Sequence, residues 1–192
     1  MLEEDAPPIR EFMDRGIIWL LGSSTFLRDL LAIVSQALAA RVDLTQAQRI
    51  NRSFIPDDLR KRETDLIVLA PYVDDGNAVP IYLMLDHQSE PDPTVPFRVL
   101  RQMVYLWDQE CRGFEDASLS RSRWRLHLVI PIVFYTGGAD WSSPQLLQMM
   151  DTPAALARFA PVHDILFLNL AAAPPETLTG TGSPLGWLLR VM

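Results

Sequence analysis

Cysteine and lysine are almost absent from this chain: 192 residues carry one of each, Cys111 and Lys61. A lone thiol can form neither an intramolecular disulfide nor a cysteine-rich zinc site, which fits a reducing cytoplasm. A lone lysine leaves one candidate for Schiff-base chemistry. No stretch approaches the roughly 20 apolar residues of a membrane span, and the acidic start Met1-Leu2-Glu3-Glu4-Asp5 lacks the apolar core of a secretory leader. A soluble, cytoplasmic protein without a membrane partner is expected. The chain also has no Gly-rich phosphate loop of the Walker type and no Gly-x-Ser-x-Gly elbow, which removes P-loop ATPases and serine hydrolases. Positive charge is scarce: 17 Lys and Arg face 24 Asp and Glu, a net charge of −7. That balance weighs against a general nucleic-acid binder, because phosphate affinity comes mainly from basic contacts. The charge is uneven, however. Arg60-Lys61-Arg62, then Arg98 and Arg101, then Arg121, Arg123 and Arg125 form local patches that can hold phosphates despite the acidic total; read singly, each is a set of solvated arginines at an element end.

What is present is apolar sequence with clear periodicity. At 48% hydrophobic residues the chain can bury a full core as one domain, drawn here at 10–170, followed by a linker and a short apolar segment at 171–192. Apolar positions recur at helical spacing over 11–22, 24–40 and about 95–112, with Ser23-Ser24 as an N-cap and Pro91-Asp92-Pro93-Thr94 as a break. Strand patterns cover 63–70, 79–87, 126–135 and 164–170, with a short strand at 51–55. The near-continuous apolarity of 126–135 implies burial on both faces. Short helices are expected at 143–150 and 153–159. This order predicts an α/β fold with a central mixed β-sheet flanked by helices. The terminal Leu185-Gly186-Trp187-Leu188-Leu189-Arg190-Val191-Met192 is expected to be the cut end of a longer chain or a packing segment that needs a partner.

Two acids stand inside the most apolar strands: Asp65 heads Leu66-Ile67-Val68-Leu69-Ala70, and Asp86 ends Ile81-Tyr82-Leu83-Met84-Leu85. A carboxylate buried at a strand needs a metal ion, a donor network or a proton. The turn-rich 71–77 suggests a hairpin that brings both acids to one end of the sheet, a geometry suited to a divalent cation. The strand period puts Gln88 on the Asp86 face, roughly 6–7 Å further along. His87 then points the other way, as a packed or hydrogen-bonded histidine. His127 and His163 are isolated, so no three-histidine zinc site arises. Tyr105 and Trp107 read as core. Equally open on the residues alone, Asp65 and Asp86 cap strand ends or pair with Arg62 and Arg98.

Three segments together, Arg62-Glu63-Thr64-Asp65-Leu66, Leu85-Asp86-His87-Gln88-Ser89 with Asp92 and Arg98, and Ile130-Pro131-Ile132-Val133-Phe134-Tyr135-Thr136-Gly137, carry a pattern that resembles the recombination-promoting nuclease (Rpn), or YhgA-like putative transposase, family of the PD-(D/E)XK nuclease superfamily. The resemblance runs from about Phe12 to Leu170. It implies a restriction-endonuclease-like core and a metal-dependent DNA endonuclease, with Asp65 and Asp86 as the strand acids, Gln88 where the superfamily usually has lysine, and Mg²⁺, or Mn²⁺ in its stead, as cofactor. Asp65, Asp86 and Gln88 are thus the expected catalytic residues. Asp65, Asp86 and a helix acid are the expected metal ligands; Asp14 is the candidate for the third, with Glu63 as the alternative. Asp86 stands where the family more often has glutamate, so its carboxylate reaches one methylene less far. The expected partner is DNA, with a second copy of the chain as an option. The competing expectation is a catalytically decayed nuclease fold that serves as a DNA-binding or protein-interaction module, which the acidic charge, Asp86 and Gln88 all allow. A DDE-type transposase, which needs a different acid spacing and fold, is a weaker third reading.

Overall fold

The computed structural model describes residues 23–50, 66–143 and 145–173. Within them a five-stranded mixed sheet runs in the order β1 (Gln48–Arg49), β2 (Leu66–Asp74), β3 (Asn77–Gln88), β4 (Leu128–Tyr135), β5 (Leu166–Asn169). The first three strands pair antiparallel and the last three parallel. Helices α1 (Ser24–Val34) and α2 (Gln36–Ala39) precede the sheet, and α3 (Val95–Asp116) crosses from β3 to β4. The result is the expected α/β class, with a core of the restriction-endonuclease-like type. Among the described residues no helix is long and apolar enough to cross a membrane.

The period of two along each strand builds two cores. Leu66, Val68, Ala70, Ile81, Leu83, Leu85, Ile132 and Phe134 point to the α1 side and meet Leu27, Leu30 and Leu31. The alternate residues Ile67, Tyr82, Met84, Val129 and Val133 meet Val95, Val99, Met103 and Leu106 of α3. Strand β4 therefore has no polar face, which is why its sequence runs apolar without a break. Around its end, Trp141 stands edge-on to Tyr135 and Phe167, with ring centroids 4.9 and 5.1 Å away, while Asn169 Nδ2 donates to the Trp141 carbonyl at 3.0 Å.

Several elements differ from the sequence expectation. The helix expected over 24–40 breaks at Ser35, which takes an extended backbone and whose hydroxyl accepts from Leu38 N at 3.3 Å, a local bond that competes with helix continuation. Ser23 occupies the N-cap of α1 without a side-chain cap bond. The expected 71–77 turn shrinks to Asp75-Gly76, both with left-handed φ (46° and 81°), the conformation that an Asp-Gly pair favours in a two-residue hairpin. Pro71–Asp74 stays in β2 because residues 41–43 pair alongside it: Asp43 N donates to the Pro71 carbonyl, Val73 N to the Arg41 carbonyl, and Arg41 pairs with Asp74. Strand β1, which no sequence signal marked, comes just before the expected strand at 51–55. Of the stretches expected to be helical at 143–150 and 153–159, the described residues form only 3-10 turns, Leu146–Met149 and Ala154–Phe159; the first buries a single residue and the second none, so neither has an apolar face to hold an α-helix. The helix expected at 11–22, the strand at 51–55, residues 63–65 and the 185–192 segment lie outside the described residues.

Leu83 sits in the central strand with no exposed surface. Leu83→Ala should lower the unfolding free energy by about 2–5 kcal/mol in urea titration. A loss below about 1 kcal/mol would mean that this core can collapse around the gap.

Candidate active site

Strand β3 carries its apolar alternation as far as Leu85 and then turns polar at the end that neighbours the start of α3. Asp86 follows Tyr82 and Met84 on the α3 face and is 5% exposed. Gln88, two residues on, lies on the same face, and its Nε2 donates to Asp86 Oδ1 at 3.0 Å. The other oxygen of Asp86 accepts from Arg98 Nη2 at 2.7 Å. Arg98 comes from the first turn of α3 and donates through Nη1 to Asp92 Oδ2 at 2.8 Å, so that one guanidinium spans two carboxylates. Asp92 is itself fixed: its Oδ1 accepts from Thr94 N at 2.8 Å and Thr94 Oγ1 at 2.7 Å, which turns the chain into α3. The break at Pro91-Asp92-Pro93-Thr94 is thus also a clamp on the site.

On the opposite face His87 Nε2 contacts Thr136 Oγ1 at 2.8 Å and its ring lies 5.5 Å from that of Phe134, as a packed, hydrogen-bonded histidine should. Thr136 N also donates to the Gln88 carbonyl at 3.0 Å, which ties the loop after β4 to the end of β3. Gly137 follows, and a Cβ there would collide with the Ser89 carbonyl oxygen and the Tyr135 hydroxyl; only glycine allows this approach.

The electrostatics follow from burial. Desolvation pushes the Asp86 carboxyl above its ordinary 3.8, in spite of Arg98 and Gln88, which favour the charged form. Desolvation also opposes ionisation of Asp92, but the hydrogen bonds from Thr94 and the charge of Arg98 outweigh it, and its carboxyl lies below 3.8. Burial disfavours the Arg98 cation as well, yet the two carboxylates overcompensate and raise it further.

Of the sequence-predicted residues, Asp86 and Gln88 come together. Asp65, Asp14 and Glu63 lie outside the described residues, as do Lys61 and Arg62; the nearest described neighbour of Asp65 in sequence, Leu66, pairs with Leu85, the residue before Asp86. Among the described residues no three acids, histidines or cysteines cluster as a metal site. Arg98 is the partner of Asp86, the pairing left open above. His127 is not isolated, a correction to the sequence reading: it pairs through Nδ1 with Glu110 and donates its backbone N–H to the same carboxylate at 3.0 Å, while Trp107 Nε1 donates to the His127 carbonyl at 2.8 Å. That cluster fastens the later part of α3 to the start of β4; burial, joined by the nearby Glu110 carboxylate, pushes the Tyr82 hydroxyl up to about 12. Arg121, Arg123 and Arg125 are exposed beyond the far end of α3, about 27 Å of helix from Arg98, so they do not line the Asp86 site. One residue escaped the sequence reading. Gln102, one helical turn beyond Arg98, is only 7% exposed and its Nε2 and Oε1 lack a hydrogen-bond partner, as does Arg98 Nε. The signal was an amide inside the Val95, Val99, Met103, Leu106 stripe.

The family model described as "Putative transposase, YhgA-like" matches residues 15–182, and the chain belongs to that family. A curated relative, the "Recombination-promoting nuclease RpnC" of Escherichia coli (strain K12), is 31% identical over 113 residues, which make up 58% of this chain and 34% of the relative. The match therefore spans about a third of that protein's own length. No solved structure matches.

The two acids should respond oppositely to pH. Asp86 has a raised folded-state pKa, so its contribution to stability is fully present below 3.8 and is lost as pH rises through the folded value. For Asp92 the folded value is depressed, so its contribution is present above 3.8 and is lost as pH falls through that value. From acid to neutral pH, Asp86→Asn should gain on the parent and Asp92→Asn should fall behind it. Urea unfolding over a pH series checks this; two curves parallel to the parent would contradict both assignments.

Proposed function

We propose that the chain carries the core of a metal-dependent DNA endonuclease that hydrolyses phosphodiester bonds, of the recombination-promoting nuclease type. The observation that carries this reading is Asp86, a buried carboxylate at the end of the central strand, hydrogen-bonded to the i+2 side chain Gln88 in a chain of this family. The relative's name, a recombination-promoting nuclease, supports the class of reaction.

The chemistry of the described donors fits a hard divalent cation. Asp86 offers carboxylate oxygens, each with lone-pair capacity beyond the bond it accepts from Gln88 or Arg98. Burial penalises its charge, and a cation would relieve that penalty. In this proposal Asp65, Asp86 and Asp14 hold Mg²⁺, or Mn²⁺ in its place, with Glu63 as the alternative third acid. Bound there, the ion would polarise a phosphate and lower the pKa of a water. Gln88 donates through Nε2 to Asp86, which leaves Oε1 to accept a hydrogen bond from the attacking water and fix its orientation. Hydrolysis adds that water across one P–O bond: the hydroxide part joins phosphorus and the proton ends on the leaving oxygen.

A second reading, a DNA-binding or protein-interaction module that has lost catalysis, is favoured by one observation. Arg98 already pairs with Asp86, so the carboxylate has a counter-ion without a metal. Calorimetric titration of Mn²⁺ beside a plasmid-nicking assay separates the two. Asp86→Ala and Asp65→Ala should each reduce nicking by more than about a hundredfold, or about 2.7 kcal/mol of transition-state stabilisation, and weaken Mn²⁺ binding. Undiminished nicking in either variant would remove that residue from the site; no heat of Mn²⁺ binding and no nicking by the parent would favour the module.

A further inference from the structure

We infer that Arg98 is the phosphate-contacting cation of this site, held in reserve between Asp86 and Asp92 and handed to a DNA phosphate once the Asp86 charge is taken up. The inference rests on the reading of Asp86 as a cation ligand. Gln88 is neutral, and among the described residues the one cation hydrogen-bonded to Asp86 or Gln88 is Arg98. A site that handles a phosphodiester needs positive charge at the phosphate oxygens, and a guanidinium supplies it with fork geometry.

Four features suit Arg98 to two positions rather than one. Its two bonds go to separate carboxylates, so loss of the Asp86 bond leaves Nη1 anchored on Asp92 and frees Nη2 close by. Asp92 is immobilised by both bonds from Thr94 and can keep that hold. The side chain retains 15% exposure, whereas Asp86 retains 6%, so the guanidinium is the more reachable member of the pair. Behind it, Nε–H is buried without an acceptor, and one turn along the helix Gln102 presents a buried amide without partners. Residues four apart on a helix are neighbours, so a swung Arg98 can give Nε–H to Gln102 Oε1. The position also argues against a merely helical role. A cation in the first turn opposes the helix dipole, and the acids that offset it, Asp86 and Asp92, lie outside α3.

The test is binding of a short DNA duplex by fluorescence anisotropy across a NaCl series, in EDTA and in Ca²⁺, with no arm that depends on cleavage. In EDTA, Asp86→Asn should bind about tenfold more tightly than the parent, with a log–log salt slope steeper by about one, as for one added phosphate contact. The double variant Asp86→Asn/Arg98→Gln should lose that gain. In Ca²⁺ the parent should show the same steepening and Arg98→Gln should not, which serves if Asp86→Asn fails to fold. Equal affinity and slope with and without Arg98, or no duplex binding by any protein, would overturn the inference and leave Arg98 as a structural bridge. Absence of nicking by the parent in Mg²⁺ would remove the nuclease reading while leaving this comparison intact; intact nicking with unchanged slopes would overturn the inference alone.

Discussion

A buried carboxylate at the end of the central strand must be compensated, and the arrangement around Asp86 follows from that requirement. Moving an ionised group out of water is unfavourable by several kcal/mol even after relaxation, and removing one member of a buried pair typically costs about 3–5 kcal/mol. Arg98 meets the requirement only because α3 begins where β3 ends and because its first turn faces the sheet. The loop between them is therefore constrained at both ends, by Asp86 through Arg98 and by Asp92 through Thr94. Burial still wins at Asp86, whose carboxyl stays above its ordinary range, so Arg98 offsets only part of the desolvation penalty.

The two faces of the sheet divide the work. The α1 side is apolar from Leu66 to Leu168 and supplies packing. The α3 side is apolar over Tyr82 and Met84 and then opens into Asp86, Gln88 and Arg98, near the carboxyl ends of the parallel strands, where open α/β sheets build their sites. The loop after β4 closes against the same end through Thr136 and Gly137, whose lack of a side chain lets the backbone approach Ser89. The arginines beyond the far end of α3 are too distant to serve this site, so among the described residues the cation bonded to Asp86 is Arg98, whatever the net charge of −7 suggests for the molecule as a whole.

Much of this was legible in the residues, and the misses have identifiable causes. Near-continuous apolarity located β2, β3, β4 and β5, because strands covered on both faces leave few positions for polar residues. It failed at the hairpin, where Pro71–Asp74 reads as a turn but is kept in β2 by pairing with residues 41–43, a contact remote in sequence. Helical spacing overran Ser35, whose hydroxyl offers the backbone another partner. It also promised helices near 146–149 and 154–159, where no face is buried to hold one. Glu110 with His127, and Gln102 on the buried side of α3, could not be paired or placed by spacing alone, since their surroundings come from another element.

By itself the sequence determined the alternation of β3 and hence that Asp86 and Gln88 share a face with His87 turned away, because a strand's side chains have no other choice. It determined as well that any positive charge at this site must be almost entirely arginine, since one lysine exists. Which arginine meets Asp86 was decided only by the tertiary structure, through the crossing of α3 over the sheet. So was the direction in which Asp86 titrates, because desolvation and the charge of Arg98 pull against each other and only the depth of burial says which prevails.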